Sequence, residues 1–128
     1  MTGLVELRRD GEIAVIICDN PPVNALKHEL RLDIQDAFTR AADDKNVAAI
    51  VLTCAGRTFI AGADITEFDK PPQSPGLSDL NAQIEAIRKP VVAAIFGTAL
   101  GGGLEITLAC HFRIAAANAR LGLPEIKL

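Results

Sequence analysis

A glycine-rich junction between two apolar segments constrains this chain more than any other feature. Residues 91–96 have the β-branched, apolar character of a buried strand, and Gly97 follows them. Three consecutive glycines at 101–103 then precede residues 104–110, which have helical character. Glycine permits backbone paths and close approaches that other residues resist. The junction therefore predicts a strand, a tight glycine turn and a helix whose first N–H groups face that turn.

The acidic residue Glu105 lies near the start of this predicted helix, between Leu104 and Ile106. A carboxylate in apolar surroundings is costly unless it is paired or its pKa shifts, and such groups concentrate at active sites. The free N–H groups and the positive dipole end of a helix also favour a developing negative charge. The junction therefore predicts an active site. The alternative is that its glycines only allow close helix–strand packing, with Glu105 on the solvent side.

Length and charge limit the classes of protein to consider. The chain has 128 residues, 49% of them hydrophobic, which suits one domain with a substantial core. Its net charge of −3 and aromatic content of 4% argue against a nucleic-acid-binding face. No apolar run reaches membrane-spanning length, and the N-terminus lacks the basic-then-apolar pattern of a secretory signal, so no membrane association is predicted.

The cysteines predict a reduced, metal-free core. Cys18, Cys54 and Cys110 lie far apart in apolar segments, as expected for buried thiols in a cytosol-like compartment. The neighbours Cys110 and His111 resemble a metal-binding pair, but no second Cys/His cluster accompanies them. We therefore predict no metal site.

The first half of the chain predicts an α/β layered core. Alternating residues 4–8 and the apolar run 13–18 flank Asp10-Gly11, a favoured hairpin turn pair. Residues 27–42 carry an apolar stripe at helical spacing, and the continuous apolar run 47–54 suits a strand buried on both faces. The order strand, helix, strand gives the α/β class.

The following segments predict a loop, a helix and a short strand. Residues 69–76 contain three prolines and are expected to form an exposed, mobile loop. Residues 77–87 form one amphipathic helix, and Arg88 and Lys89 at its end suit its dipole. Residues 112–116 read as a strand, and a turn is expected at 118–120.

Small residues around Gly62 form a second candidate site. They follow the predicted strand 47–54, and α/β sheets bind ligands beyond the carboxyl ends of their strands. Ala61 and Ala63 flank the glycine, while Asp64 is suited to cap a short helical segment at 65–68. Taken alone, the segment fits a binding loop and a plain turn equally well.

Several segments together resemble the crotonase, or enoyl-CoA hydratase/isomerase, superfamily. They are RTFIAGADI at 57–65, ALGGGLE at 99–105 and GLPEI at 122–126, and NPPVNAL at 20–26 is also typical. Three motifs in this order and at this spacing are highly specific, and the resemblance covers essentially the whole chain. It is closest to the hydratase portion of multifunctional β-oxidation proteins.

The resemblance implies a fold and an assembly. The family fold is a spiral of repeated ββα units about twice this length, so residues 1–128 are expected to form the N-terminal part of an enoyl-CoA hydratase/isomerase domain. The chain also ends within an apolar run, as if cut inside a domain. Family members are commonly trimers or dimers of trimers. The expected setting is a trimer-based homo-oligomer or a larger multifunctional chain, in the cytoplasm or, in a eukaryote, the peroxisome.

The resemblance also implies how an acyl-CoA substrate is bound. The backbone N–H groups of Ala63 and Gly102 are expected to form the oxyanion hole for the thioester oxygen. Ala61, Asp64 and Ile65 are expected to lie against the adenine and pantetheine of CoA. No separate cofactor is implied, because CoA is part of the substrate.

Glu105 and Glu125 match the two catalytic glutamates of the hydratases. Many isomerases keep only one of these acids, so the pair favours hydration of 2-enoyl-CoA to 3-hydroxyacyl-CoA in fatty-acid β-oxidation. Glu105 is expected to hold and activate the water, and Glu125 to deliver a proton to the α-carbon. The alternatives are a Δ3,Δ2-enoyl-CoA isomerase and a catalytically silent fragment that serves binding or assembly. The 128 residues alone are expected to be poorly active.

Overall fold

The computed structural model describes residues 3–62, 64–67 and 69–124. Its elements in chain order are β1 Val5–Asp10, β2 Ile13–Cys18, α1 His28–Asp43, β3 Ala49–Cys54, α2 Leu77–Ala86, β4 Val91–Ile95, β5 Thr98–Leu100, α3 Gly102–Ala109, β6 Phe112–Ala115 and β7 Arg120–Gly122. Within the described ranges, one sheet has the strand order β1-β2-β3-β4-β6, and β5 pairs with β7 in a second. No helix in this part of the chain is long and apolar enough to cross a bilayer.

Strands β1 and β2 form the predicted antiparallel hairpin. Its turn consists of Gly11, with φ +60°, and Glu12, so Asp10 pairs within β1 and does not turn the chain as predicted. Every second residue of β2 is buried from Ala14 to Cys18, whereas β1 is mostly exposed. The prediction that the second strand is more buried is confirmed.

Helix α1 covers the sheet with the predicted apolar stripe. It runs from His28 to Asp43, close to the expected 27–42. The four residues of the stripe are all buried: Leu30, Ile34, Phe38 and Ala41. Full burial of a Leu, Ile or Phe side chain contributes about 1.5–3 kcal/mol, so Leu30, Ile34 and Phe38 anchor the helix.

Strand β3 lies parallel to β2 and is buried on one face only. It begins at Ala49, and its buried residues alternate: Ile50, Leu52 and Cys54. The prediction of burial on both faces is wrong for the face that includes Val51 and Thr53, which are half-buried. A continuous apolar run therefore indicated the strand but not the extent of its cover.

The glycine junction contains a strand that its local pattern did not predict. Strand β4 matches the expected position, but residues 98–100 form β5, which pairs in parallel with β7. Arg120, expected in a turn, is the first residue of β7. Gly97 has φ +65°, and a Cβ there would lie 2.8 Å from the carbonyl oxygen of Arg57, so this position requires glycine.

Strand β6 confirms the predicted strand at 112–116 and forms an edge of the larger sheet. It pairs in parallel with β4, and within the described residues its other side has no neighbouring strand. All four residues of β6 are exposed, and Phe112 and Ile114 are 60% and 68% exposed. The strand thus leaves large apolar side chains and one row of backbone groups open.

Helix α2 matches the predicted amphipathic helix, but Lys89 acts elsewhere. The Lys89 ammonium donates to the carbonyl oxygens of Ala41, at 3.1 Å, and Asp44, at 2.7 Å. These carbonyls lie at the C-terminal end of α1, where a cation complements the helix dipole. The predicted interaction of Lys89 with its own helix is therefore wrong; it fastens the end of α1 to the connection between α2 and β4.

Replacing Lys89 by alanine is expected to lower the free energy of unfolding by about 1–2 kcal/mol, because two charge-assisted hydrogen bonds are lost. Urea denaturation measures the change. The matched control is Arg88→Ala, which removes the adjacent exposed cation. Equal losses in the two variants would contradict the capping role of Lys89.

The three cysteines are buried and free, as predicted. A hydrogen bond with Cys54, together with burial, raises the pKa of Cys18, and burial raises the pKa of Cys110 to about 12. The thiols of Cys18 and Cys110 therefore stay protonated at neutral pH, and all three cysteines pack as small apolar groups.

Candidate active site

The first turn of α3 brings backbone N–H groups that have no helical acceptor to the glycine junction. Gly101 precedes the helix with φ 55° and ψ −122°. The first intrahelical hydrogen bond runs from the Glu105 N–H to the Gly101 carbonyl, at 3.0 Å. The N–H groups of Gly102, Gly103 and Leu104 precede this bond and have no acceptor within the helix. An oxygen that gains negative charge would find donors and the positive dipole end here.

Gly103 brings the 60–62 segment into direct contact with this turn. A Cβ on Gly103 would lie only 2.0 Å from the carbonyl oxygen of Ile60. The same oxygen accepts a hydrogen bond of 3.2 Å from the Leu100 N–H, and Ala61 forms an isolated parallel bridge with Leu100. Two segments that are about 40 residues apart in sequence are thus adjacent in the fold.

Leu26 contacts both halves of the predicted oxyanion site. Its N–H donates to the Gly62 carbonyl at 3.0 Å, and its Cδ2 atom lies 3.3 Å from the position of a Cβ on Gly102. The loop around Gly62 and the first residue of α3 therefore share a neighbour. Ala63 lies outside the described residues, so the convergence of its N–H with that of Gly102 stays a prediction.

Asp64 caps the short turn that follows the loop. Its Oδ1 atom accepts hydrogen bonds from the Thr66 hydroxyl, at 2.7 Å, and the Thr66 N–H, at 2.9 Å, and these bonds lower the pKa of Asp64. The capped turn is a 3-10 helix, Ile65–Glu67. The capping role considered for Asp64 is confirmed, while its contact with CoA, and that of Ile65, stay predictions.

Glu105 is half-buried on α3, with apolar residues around it. Ile106 beside it is fully buried, and Leu108 one turn later is 56% exposed. Among the described residues, the Glu105 carboxylate has no hydrogen-bond or ion-pair partner, so its oxygens remain available to a ligand or water. Glu125 lies outside the described residues, and the distance between the two carboxyls stays a prediction.

A cleft of about 610 Å³ opens beside Ala61. It is lined by Pro21, Pro22, Val23, Gly56, Arg57, Thr58, Ala61 and Thr98. Ala61, a predicted CoA contact, is therefore accessible from the cleft, and Arg57 supplies a cation among these mostly apolar residues. Sequence reasoning treated Arg57 only as part of a motif, although a lone cation next to a loop of small residues was a signal for anion binding.

Asn24 holds the wall of this cleft, a role that sequence reasoning missed. It is 3% exposed and adopts φ 55°. Its Oδ1 accepts from the Asn20 N–H at 2.6 Å, and its Nδ2 donates to the carbonyls of Ala55, at 3.0 Å, and Thr58, at 2.8 Å. Asparagine suits this position because it tolerates a left-handed backbone and satisfies buried backbone groups.

Cys110 and His111, which only resemble a metal-binding pair, are engaged in structural hydrogen bonds. The Cys110 thiol donates to the Ile106 carbonyl, and His111 Nδ1 accepts from the Val91 N–H at 3.0 Å. Within residues 3–62, 64–67 and 69–124, no group of three or more His, Cys, Asp or Glu residues is arranged to hold a metal ion.

The sequence and the fold both match a known protein family. Residues 8–128 match the family described as enoyl-CoA hydratase/isomerase. The chain therefore belongs to the enoyl-CoA hydratase/isomerase family. The crystal structure of an enoyl-CoA hydratase from Thermoplasma volcanium superimposes with a TM-score of 0.88 at 32% identity, over 97% of this chain and 52% of that one. The predicted crotonase-like α/β fold is confirmed.

Multifunctional enzymes are among the similar proteins. The chain is 51% identical to a peroxisomal bifunctional enzyme of Danio rerio, over 91% of this chain and 16% of that protein. It is 41% identical to a glyoxysomal fatty acid beta-oxidation multifunctional protein of Cucumis sativus, over 98% of this chain and 18% of that protein. The chain thus spans about half of the solved hydratase and less than a fifth of these two enzymes.

Proposed function

We propose that this chain forms the N-terminal part of a 2-enoyl-CoA hydratase, which adds water to give 3-hydroxyacyl-CoA in fatty-acid β-oxidation. One observation carries the proposal: the 60–62 segment packs against the first turn of α3, beside the half-buried Glu105, whose carboxylate has no partner among the residues that the structure describes. This arrangement combines free backbone donors with an available base at a single junction.

The backbone donors stabilise the enolate. Attack of water on the β-carbon moves the double-bond electrons through the thioester, and negative charge develops on its oxygen. The N–H groups of Ala63 and Gly102 donate to this oxygen, and that of Gly102 adds the dipole of α3. Loss of one such donor typically raises a barrier by about 2.7–4 kcal/mol, so the pair supplies a large share of the catalysis.

The two glutamates handle the proton and the water. The Glu105 carboxylate holds the water and accepts its proton as the hydroxide oxygen bonds to the β-carbon. The Glu125 carboxylic acid delivers a proton to the α-carbon as the enolate collapses. The hydroxyl group and the hydrogen of the product thus arrive by separate routes, and two carboxyl groups in different protonation states suit this division.

The cleft beside Ala61 takes part of the CoA. Ala61, Asp64 and Ile65 flank the adenine and pantetheine, and small side chains allow the close approach of a flat ring. Arg57 at the cleft offers its guanidinium to a CoA phosphate. The metal-free chemistry requires no cofactor besides the CoA carried by the substrate.

The bifunctional and multifunctional relatives suggest the cellular setting. Their names favour a polypeptide with further activities. They also favour a peroxisomal location if the source is a eukaryote, and we propose a cytoplasmic location otherwise. We propose a trimer-based homo-oligomer or a larger multifunctional polypeptide as the working form.

Two substrates separate hydration from isomerisation. The full-length polypeptide that contains these residues is given a 2-enoyl-CoA or a 3-enoyl-CoA, and the absorbance of the conjugated thioester is followed. Hydration removes the conjugation of the first substrate, whereas isomerisation creates conjugation from the second. We expect loss of the 2-enoyl signal. Turnover of the 3-enoyl ester alone would favour the isomerase, and turnover of neither would favour a binding or assembly module.

A further inference from the structure

A partly buried ion pair joins α1 to the turn that follows the proposed oxyanion loop. Arg31 Nη1 donates to Glu67 Oε1 at 3.1 Å, and the two side chains are only 12% and 24% exposed. Glu67 ends the 3-10 helix Ile65–Glu67, and its N–H donates to the Asp64 carbonyl at 3.1 Å. An ion pair with this much cover and this geometry holds its partners more firmly than an exposed one.

Glu67 also caps α1 from outside the helix. The residue before the helix, Lys27, forms no side-chain cap, and the N–H of His28 donates to Glu67 Oε2 at 2.6 Å. A carboxylate at this helix end meets the positive end of the dipole. One oxygen of Glu67 therefore binds the helix backbone while the other binds Arg31, which fixes the carboxylate in two directions.

Arg31 also donates hydrogen bonds to backbone segments that precede and follow the 62–67 loop in the sequence. Its Nε donates to the Pro75 carbonyl at 2.7 Å, and its Nη1 donates to the Leu26 carbonyl at 3.1 Å. Leu26 in turn donates its N–H to the Gly62 carbonyl at 3.0 Å. The loop at 62–67 is thus anchored through Leu26 at its start and through Glu67 at its end, with one guanidinium serving both anchors.

We propose that Arg31 and Glu67 are positioning residues that hold the 62–67 loop so that the Ala63 N–H faces the thioester oxygen. This inference rests on the proposed hydratase function. Neither side chain lines the cleft beside Ala61 or pairs with Glu105, so both act through the loop: on kcat through the Ala63 N–H, and on KM through Asp64 and Ile65, the CoA contacts proposed in the same loop. Small displacements of catalytic groups by remote changes have large effects on rate.

The test uses Glu67→Gln and Arg31→Lys in the full-length polypeptide. Glutamine keeps an acceptor for the His28 N–H but loses the charge, and lysine keeps the charge but loses the fork of donors. The matched control is the exposed pair Asp36–Arg40 on the same helix, altered to Asp36→Asn and Arg40→Lys; its atoms are 3.8 Å apart and its side chains are 47% and 59% exposed.

We expect kcat for the 2-enoyl-CoA to fall about 10- to 100-fold in both test variants, whatever the change in KM, because the loop carries both the Ala63 N–H and the proposed CoA contacts. A second readout is the absorption of bound cinnamoyl-CoA, which moves to longer wavelength when its thioester oxygen accepts hydrogen bonds. That shift should shrink in the test variants and stay unchanged in the control pair, while thermal denaturation verifies that each variant is folded.

The outcomes separate this inference from the proposed function. An unmodified protein that neither hydrates the ester nor shifts the probe would refute the proposed function and the role of the pair with it. An active protein whose test variants match the controls in kcat and in the shift would overturn the inference alone. A rise in KM with kcat and the shift unchanged would also overturn it, because the pair would then serve binding.

Discussion

Gly103→Ala is expected to lower the free energy of unfolding by about 3 kcal/mol or more. The added Cβ would lie 2.0 Å from the Ile60 carbonyl oxygen and 2.8 Å from its carbon, and both are backbone atoms that cannot rotate away. Overpacking costs about 1–3 kcal/mol even where side chains can adjust, so a clash with backbone exceeds that range. Urea denaturation followed by circular dichroism measures the loss against a total stability of about 5–15 kcal/mol.

The neighbouring glycine provides the matched control. A Cβ on Gly102 would meet the ends of two flexible side chains, Leu26 at 3.3 Å and Leu77 at 3.4 Å. Alanine is also favoured over glycine in a helix by up to about 1 kcal/mol, so Gly102→Ala should change stability little. Similar losses at both positions would show that the contact between Ile60 and α3 is not the constraint that we infer.

Glu105→Gln is expected to lower kcat for hydration by about 10²- to 10⁴-fold, because glutamine is isosteric but cannot accept the proton of the attacking water. Binding of the CoA ester should persist, since the proposed contacts to CoA involve the loop around Gly62 and not this side chain. Steady-state assays of the full-length polypeptide, together with calorimetric titration of a non-reactive acyl-CoA, measure the two quantities separately.

The control for Glu105 is Glu85→Gln, an exposed glutamate on α2, the helix that packs against α3. It removes the same charge from the surface and should leave turnover unchanged. Near-normal hydration by the Glu105 variant would eliminate this residue as the base. A loss of ester binding in step with the loss of rate would instead assign Glu105 to substrate binding.

Elements set by local patterns were predictable from the sequence. The stripe on α1 repeats with the period of a helix, so its burial could be assigned residue by residue. The β3 run failed on one face because apolar side chains such as Val51 are compatible with burial but do not require it.

Contacts between distant segments were not predictable from local patterns. Strands β5 and β7 have three residues each, and their pairing joins Thr98 to Arg120, so neither segment shows a periodicity of its own. Lys89 was assigned to the end of its own helix, yet tertiary packing supplies its ammonium with two carbonyl acceptors at the end of α1. Both the strand pairing and the contact of Lys89 depend on the tertiary arrangement of segments that are distant in sequence.

The candidate site shows the same division. Motifs indicated which glycines and acids to examine, but three glycines in a row are equivalent in sequence. The structure distinguishes them, because Gly101 has a positive φ and Gly103 packs against Ile60, whereas Gly102 faces only flexible side chains. The network of Arg31 and Glu67 had one faint signal: Lys27 cannot cap α1 with its side chain, so an acceptor from elsewhere had to be found.

The open edge of the larger sheet has a practical consequence. At β6, the side chains of Phe112 and Ile114 project into solvent along a strand whose outer row of backbone groups has no partner among the described residues. Such a border accepts any extended polypeptide of suitable hydrophobicity. If no other segment covers this edge, copies of the chain should self-associate through it at high concentration. Dilution, or a segment that covers the edge, should keep them apart.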